Sequence, residues 1–182
     1  MRTPLSLLLA FLLLACNGNP QRTLAAPITP ENTFQIKKGA EFSVQVIGVT
    51  DGDTFKGLTS DKQTINFRIY GIDAPETRNG GAQPFCQKSK QTLSDLIFGK
   101  TVCVKVQNKD RWGRAVVWVY TPEGEDVSAE MIRTGMAWHF KKYSGDAQYA
   151  ELENRARKQK IGLWADTNPV APWEWRKKQK NS

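Results

Sequence analysis

Three short runs in which apolar and polar residues alternate follow one another between Glu41 and Asp73, and they constrain the fold more than any other part of the chain. EFSVQVIGV alternates and is rich in β-branched residues. The Asp51-Gly52 pair then signals a tight turn into TFKGL, and TINFRIYGI supplies a third strand. Successive side chains on a strand point to opposite faces, so each run carries one apolar face. Three such runs in sequence read as a meander.

The rest of the chain supplies what covers that meander. FCQKSKQTLSDLIFG places Phe85, Leu93, Leu96 and Ile97 near helical spacing and stops at Gly99. Two further strands, TVCVKVQ and RAVVWVY, flank the charged turn NKDRWG. Later, VSAEMIRTGMA sets Val127, Met131, Ile132 and Met136 on one helical face, and DAQYAELENRARKQKIG does the same with Tyr149, Leu152 and Ala156. There are no internal repeats. This order predicts an α+β, mainly β fold: a closed five-stranded barrel of the OB type with about three packed helices.

Length and patterning divide the 182 residues into four parts. Residues 1–16 hold one cation, Arg2, then an apolar run from Leu5 to Ala15 that is too short to span a bilayer and reads as an export signal. Its end, Leu13-Leu14-Ala15-Cys16, is similar to the lipobox of bacterial lipoproteins, in which the cysteine is acylated. Cleavage near Thr23-Leu24-Ala25-Ala26 is the alternative, so the expected location is either the cell envelope, through a lipid anchor in the membrane, or secretion. Residues 17–40 lack an apolar period and read as a tether. Residues 41–166 form the barrel domain, and 167–182 are a basic tail carrying Trp173, Trp175 and Arg176. Two readings of that tail stand: a stacking and phosphate contact, or a solvated end with one tryptophan tucked against the barrel.

Lys and Arg outnumber Asp and Glu by 26 to 18, a formal net charge of +8, which favours a polyanionic partner. With His139 the only histidine, a Cys/His metal site is excluded. If Cys16 carries lipid, Cys86 and Cys103 remain as an even pair, open to a disulfide in an oxidising compartment or to two separate buried thiols.

Against that basic background, RIYGIDAPE gathers Asp73 and Glu76 directly after Arg68. DGDT adds Asp53, although an EF-hand fails because Phe55 stands where a third oxygen ligand is required. Each motif alone is an ordinary turn. If the first and third strands pair, however, Asp53 and Asp73 lie side by side and offer hard oxygens that suit Ca²⁺. A dication neutralises them and then attracts a phosphate that bare carboxylates would repel. Arg68 and Arg114 supply planar, multi-donor guanidiniums for the charge on a phosphoryl group under attack, and Glu76, beyond the rigid Pro75, is placed to act as general base on a water. The loop TRNGGAQP that follows reads as a mobile gate.

DGDT, FRIYGIDAPE, KDRWGRAVVWVY, IRTGMAW and KIGLW, in that order, closely resemble the staphylococcal nuclease family from about Phe42 to Trp164. The resemblance implies Ca²⁺ held by the Asp53 and Asp73 side chains and the Ala74 carbonyl, with Arg68, Glu76 and Arg114 at the catalytic positions. The implied reaction is hydrolysis of the 5′ P–O bond in DNA and RNA, leaving 3′-phosphate ends, by a monomer and without a covalent intermediate. Substrate contacts would fall on Arg111 and Trp112 in the turn before Arg114, and on Lys141 and Tyr143. Ala74 stands where the best-known member has threonine, Trp112 and Lys141 each replace a tyrosine, the loop after Glu76 lacks that member's lysines, and Cys86 and Cys103 also depart from it.

Two other functions fit the composition: a single-strand binding module, since OB barrels hold strands without chemistry, and a basic domain that only contacts anionic envelope polymer. A binder has no need of Asp53, Asp73, Glu76, Arg68 and Arg114 together.

Overall fold

A computed structural model describes residues 36–77 and 82–181. Cys16 and the rest of the export signal, most of the tether and residues 78–81 of the loop after Glu76 lie outside the described residues. Strands β1 (Glu41–Asp51), β2 (Thr54–Leu58) and β3 (Thr64–Ile69) form the meander that alternation predicts. β1 pairs with β2 along its second half and with β5 (Thr101–Lys109) along its first. Two register shifts, at Val46/Gly48 and Val49/Asp51, allow it to do both, because bulges bend a strand and raise its twist. β3 pairs in parallel with β6 (Ala115–Tyr120), β6 pairs with β5, and the barrel closes in the order β1-β2-β3-β6-β5. This is the expected OB-type barrel.

One expected pairing is absent. β1 and β3 are separated by β2, so Asp53 and Asp73 do not meet across a shared ladder. They meet instead because the chain leaves the barrel after β3, turns at Gly71, and forms a two-residue strand β4 (Ile72–Asp73) that pairs with β7 (Trp138–His139). Strands this short carry no period that a sequence reading can detect.

The barrel interior is filled by Val44, Val46, Phe55, Phe67, Val102, Val104, Val117 and Val119, all buried, with Phe55 and Phe67 stacked at 5.0 Å. α1 (Cys86–Ile97) adds Leu93 and Ile97, α2 (Val127–Arg133) adds Met131 and Ile132, and α3 (Ala147–Lys158) adds Tyr149 to the same core. Asp126 caps α2 by accepting from Ser128 N at 2.8 Å, and its other oxygen accepts the Tyr149 hydroxyl at 2.6 Å, which locks α2 to α3. Burial, then Asp126, pushes the Tyr149 hydroxyl well above its ordinary range.

The cysteines and the C-terminal tail were each open to two readings. For the cysteines the structure has two separate thiols and no bridge: Cys86 is buried at the start of α1, whereas Cys103 lies half-buried on β5 beside Glu41. The C-terminal residues are a fourth helix, α4 (Pro172–Lys180), rather than a solvated end. Pro172 opens it, where a missing N–H costs nothing. Trp173 lies flat on Phe140 at 5.2 Å and edge-on to Trp138 at 5.4 Å, joining a small second core of Trp138, Ala156, Leu163, Trp164 and Ala171. Arg, Lys, Gln and Glu favour the helix itself, and the aromatic contacts of Trp173 dock it on the domain. No helix of the described residues is long and apolar enough to cross a membrane.

Candidate active site

The turn between β1 and β2 sets the first carboxylate. Asp51 Oδ1 accepts the Asp53 backbone N–H at 3.1 Å, folding the turn over. Gly52 is required there because a Cβ would overlap the Ser89 hydroxyl and come within 2.8 Å of the Ala74 Cβ. The Asp53 side chain, 4% exposed with its residue, therefore points inward. Its Oδ1 accepts the Thr54 hydroxyl at 3.0 Å and is paired with Arg68 Nη1, and its Oδ2 accepts the Ala74 N–H at 2.7 Å.

Asp73, fully buried on β4, is tied to the same guanidinium: Arg68 Nη2 donates to its Oδ1 at 2.8 Å and to the Ile72 carbonyl at 3.3 Å. Arg68 thus bridges the two carboxylates. Burial pushes its guanidinium below the ordinary range, with Asp73 and Asp51 pulling back. Burial likewise raises the Asp51 carboxyl, against Arg68, Thr54 and Arg114.

Arg114 arrives from the β5–β6 turn. Asp110 shapes that turn by accepting the N–H groups of Trp112 at 2.9 Å and Arg114 at 3.0 Å, and its second oxygen holds Arg114 Nε at 2.7 Å. One guanidinium edge is thereby fixed while Nη1 reaches to 3.5 Å from the Thr54 hydroxyl, which itself donates to Asp53. Trp112, 67% exposed, has the Arg111 and Arg114 guanidiniums over its ring at 4.1 and 5.1 Å.

Arg176 of α4 completes the cluster, and the sequence reading did not place it there. Its Nη2 donates to Asp73 Oδ2 at 2.7 Å, and its Nη1 to Asp73 Oδ1 at 3.1 Å and to Glu76 Oε1. Burial acts to lower its pKa, yet the hydrogen bonds and charges of Asp73 and Glu76 outweigh that and raise it. The signal for Arg176 was only that it is one of four cations in a basic tail. Asp51 and Asp110 were legible as turn-forming aspartates within the motifs that carry Asp53 and Arg114.

Arg68, Asp53, Asp73, Glu76 and Arg114 are thus brought into one connected network. Lys141 and Tyr143 lie beyond it, after β7. The Lys141 ammonium is paired with the buried Glu153 at 2.8 Å. Tyr143 is 60% exposed, packs edge-on to Phe140 at 4.9 Å, and its carbonyl accepts the Tyr70 hydroxyl at 2.8 Å.

The oxygens of Asp53 and Asp73 are of the kind that suits a hard divalent cation. Each carboxylate offers about four lone-pair sites. Among the hydrogen bonds and ion pairs described, Asp53 Oδ1 takes two donors and Oδ2 one, and Asp73 Oδ1 takes two and Oδ2 one. Both Oδ2 atoms keep acceptor capacity. Among the described residues no group of three or more carboxylate, histidine or cysteine side chains is gathered as a ready cation cage, so a cation here would draw on the two aspartates together with backbone carbonyl and substrate oxygens.

Fold and site together define an OB-type barrel protein with a buried acid-and-arginine centre at the end of its first hairpin. The model of the staphylococcal nuclease homologue family matches residues 66–166, and the chain belongs to that family. A Haemophilus influenzae protein named an uncharacterized endonuclease is 42% identical over 136 residues, which cover 75% of this chain and 74% of that one. A Shigella flexneri protein named micrococcal nuclease is 39% identical over 153 residues, 79% of this chain and 85% of its own. An uncharacterized endonuclease of Escherichia coli O157:H7 is 40% identical over 137 residues, 75% of this chain and 86% of its own.

Proposed function

We propose that the protein is an endonuclease that hydrolyses phosphodiester bonds of DNA and RNA with little sequence specificity, depends on Ca²⁺, and leaves 3′-phosphate ends. The observation that carries this reading is the Arg68 bridge between Asp53 and Asp73, which leaves one acceptor position on each Oδ2 and stands next to a second guanidinium, Arg114. Asp53 and Asp73 through their side chains, and Ala74 through its carbonyl, would hold the cation. When bound, that cation supplies charge that draws the phosphodiester in and offsets the negative charge of the reacting phosphoryl group.

The chain's own groups supply the remainder. Glu76 removes a proton from water as the water oxygen attacks phosphorus in line. The P–O5′ bond breaks, the 5′ oxygen takes up a proton, and the phosphate stays on the 3′ side. Arg114 and Arg68 donate to the non-bridging oxygens, where negative charge accumulates in the transition state, Arg68 with the N–H groups beyond those it gives to Asp53, Asp73 and Ile72. Asp110 keeps the Arg114 fork aimed by holding its Nε.

The apolar N-terminal run supports export, and the Leu-Leu-Ala-Cys16 sequence supports anchoring of the domain to an envelope membrane through lipid on Cys16. We read the enzyme as a monomer.

The test is digestion of plasmid DNA and of RNA by purified mature protein, with Ca²⁺ and with chelator, beside Glu76→Gln. Cleavage that needs the cation, and a Glu76→Gln protein that binds Ca²⁺ and DNA as before while turnover falls by about 10²-fold or more, is the expected result. Unchanged turnover in Glu76→Gln removes Glu76 as the base. Salt-sensitive binding without cleavage in Ca²⁺ returns the protein to the class of binding modules.

A further inference from the structure

We propose that Arg176 is a positioning residue of the nuclease reaction, holding the general base Glu76 and the cation ligand Asp73 in register, and that helix α4 is a built part of the active centre. This rests on the roles of Glu76 and Asp73 proposed above.

The geometry is a fork across two acids. Three hydrogen bonds run from the two Nη atoms of Arg176 to Asp73 Oδ1, Asp73 Oδ2 and Glu76 Oε1. A planar guanidinium can fix the relative orientation of two carboxylates in this way, whereas a single ammonium cannot. Asp73 is fully buried, so its pairing is not exchanged for water.

Glu76 is held from its backbone side as well, through the same helix. Its N–H donates to Gln83 Oε1 at 3.1 Å, and its carbonyl accepts the Gln83 N–H at 2.9 Å. Gln83, 3% exposed, passes the connection on, since its Nε2 donates to the Val170 carbonyl at 2.6 Å immediately before α4. The chain then enters α4 through buried Ala171 and Pro172, and Arg176 returns to the Glu76 side chain. Glu76 therefore sits within a closed circuit whose far side is α4.

The helix is anchored where the fork needs it. Trp173 and Arg176 are three positions apart and share a face of α4, so the ring wedged against Phe140 and Trp138 sets where the guanidinium falls. The Trp138 backbone pairs with Asp73 itself, across β7 and β4. Aromatic anchor and carboxylate are thus joined through one short ladder. All of α4 lies beyond residue 166, where the family match ends.

The same contact could instead be a plug, a cation on α4 that keeps a dication off Asp73. The lone-pair count speaks against it: Asp73 Oδ2 holds one described donor and keeps capacity for a ligand bond while Arg176 remains in place. The closed circuit through Gln83 also makes α4 part of the scaffold that carries Glu76, rather than an element laid over it.

The experiment uses the full mature chain with Arg176→Gln and Arg176→Ala, assayed on DNA in Ca²⁺, with thermal melting and Ca²⁺ titration of each. The expected result is a fall in kcat of about 10-fold to 10²-fold, the scale of a misplaced catalytic group, with KM and melting temperature little changed. Added guanidinium should restore part of the Arg176→Ala turnover. Turnover that is unchanged overturns the proposal. So does turnover that rises with tighter Ca²⁺ binding, which would establish the plug, and so does a loss that follows a lowered melting temperature and is not restored by guanidinium. A second reading needs no activity: in metal-free protein the carboxyl ¹³C resonances of Asp73 and Glu76 should both move in Arg176→Gln, and stationary resonances overturn the contact. If wild-type protein cleaves nothing, the nuclease reading fails by itself while the resonance shifts still report on Arg176.

Discussion

The Asp53 carboxylate accepts the backbone N–H of Ala74 at 2.7 Å, and this bond joins the β1–β2 turn to the segment that leaves the barrel after β3. Twenty-one residues apart in sequence, the two halves of the proposed cation site are held by a charge-assisted bond. Asp53→Asn keeps one acceptor oxygen, which can serve the Ala74 N–H or the Thr54 hydroxyl but not both, and loses the charge that faces Arg68. Ca²⁺ affinity, followed by calorimetry, is expected to fall by about 10²-fold or more, with the fold retained by circular dichroism. Undiminished affinity would place the cation elsewhere.

Arg114 differs from Arg68 in being held at one edge only. Asp110 binds Nε, which leaves the Nη groups aimed past Thr54. Arg114→Lys keeps the charge and loses the fork, so kcat is expected to fall by about 10²-fold while KM moves far less. Steady-state rates on one defined oligonucleotide check this, and equal kcat would remove Arg114 from the transition state.

How much of this was legible in the sequence depended on how local each contact is. Asp53 was readable because Asp51, Gly52 and the following strand form one turn, and Arg114 because Asp-Arg-Trp-Gly-Arg closes its own loop. The barrel followed from five alternating runs. The manner in which Asp53 and Asp73 meet was not readable, since β4 and β7 have two residues each and pair across 67 positions, Ile72 with His139. Arg176 was hidden for a related reason. Nothing near it in sequence signals an acid partner, and its position depends on Trp173 finding Phe140 and Trp138, a packing event between distant segments. Pairing Cys86 with Cys103 rested on an even count, which carries no geometry, and β5 holds Cys103 against Glu41.

His139 gives the fold a pH dependence separate from the site. It is 2% exposed, and burial lowers its pKa below the ordinary 6.5, with the Glu153 carboxylate and Asp146 acting the other way and Lys141 adding to the lowering. The folded ring therefore resists a proton that the unfolded ring accepts. Its contribution to stability is full above pH 6.5 and declines as the pH falls from there through the lower folded value. Urea midpoints should drop on acidification before the carboxylate range is reached, and His139→Gln should flatten that part of the curve. A midpoint independent of pH in this window would show that the ring is protonated equally in both states.

Trp112, 67% exposed, is the most exposed large aromatic residue among the described residues, and the Arg111 and Arg114 guanidiniums lie against its ring. An exposed ring of this kind costs solvation without stabilising the core, and Arg114 against it is a residue proposed to donate to the non-bridging phosphoryl oxygens. A base of a single strand laid on the outer face of the indole would stack there while Arg111 meets its phosphate, and stacking of one base is worth about 1–3 kcal/mol. Trp112→Ala is therefore expected to raise KM for single-stranded DNA by about 5-fold to 10²-fold. Duplex DNA, whose bases are already stacked on each other, should be affected less. The comparison must be made on both substrates with one protein preparation, because Arg114 also loses its ring contact and kcat will fall somewhat on each. A KM that rises equally on single and double strands would assign Trp112 to holding Arg114 rather than to the substrate.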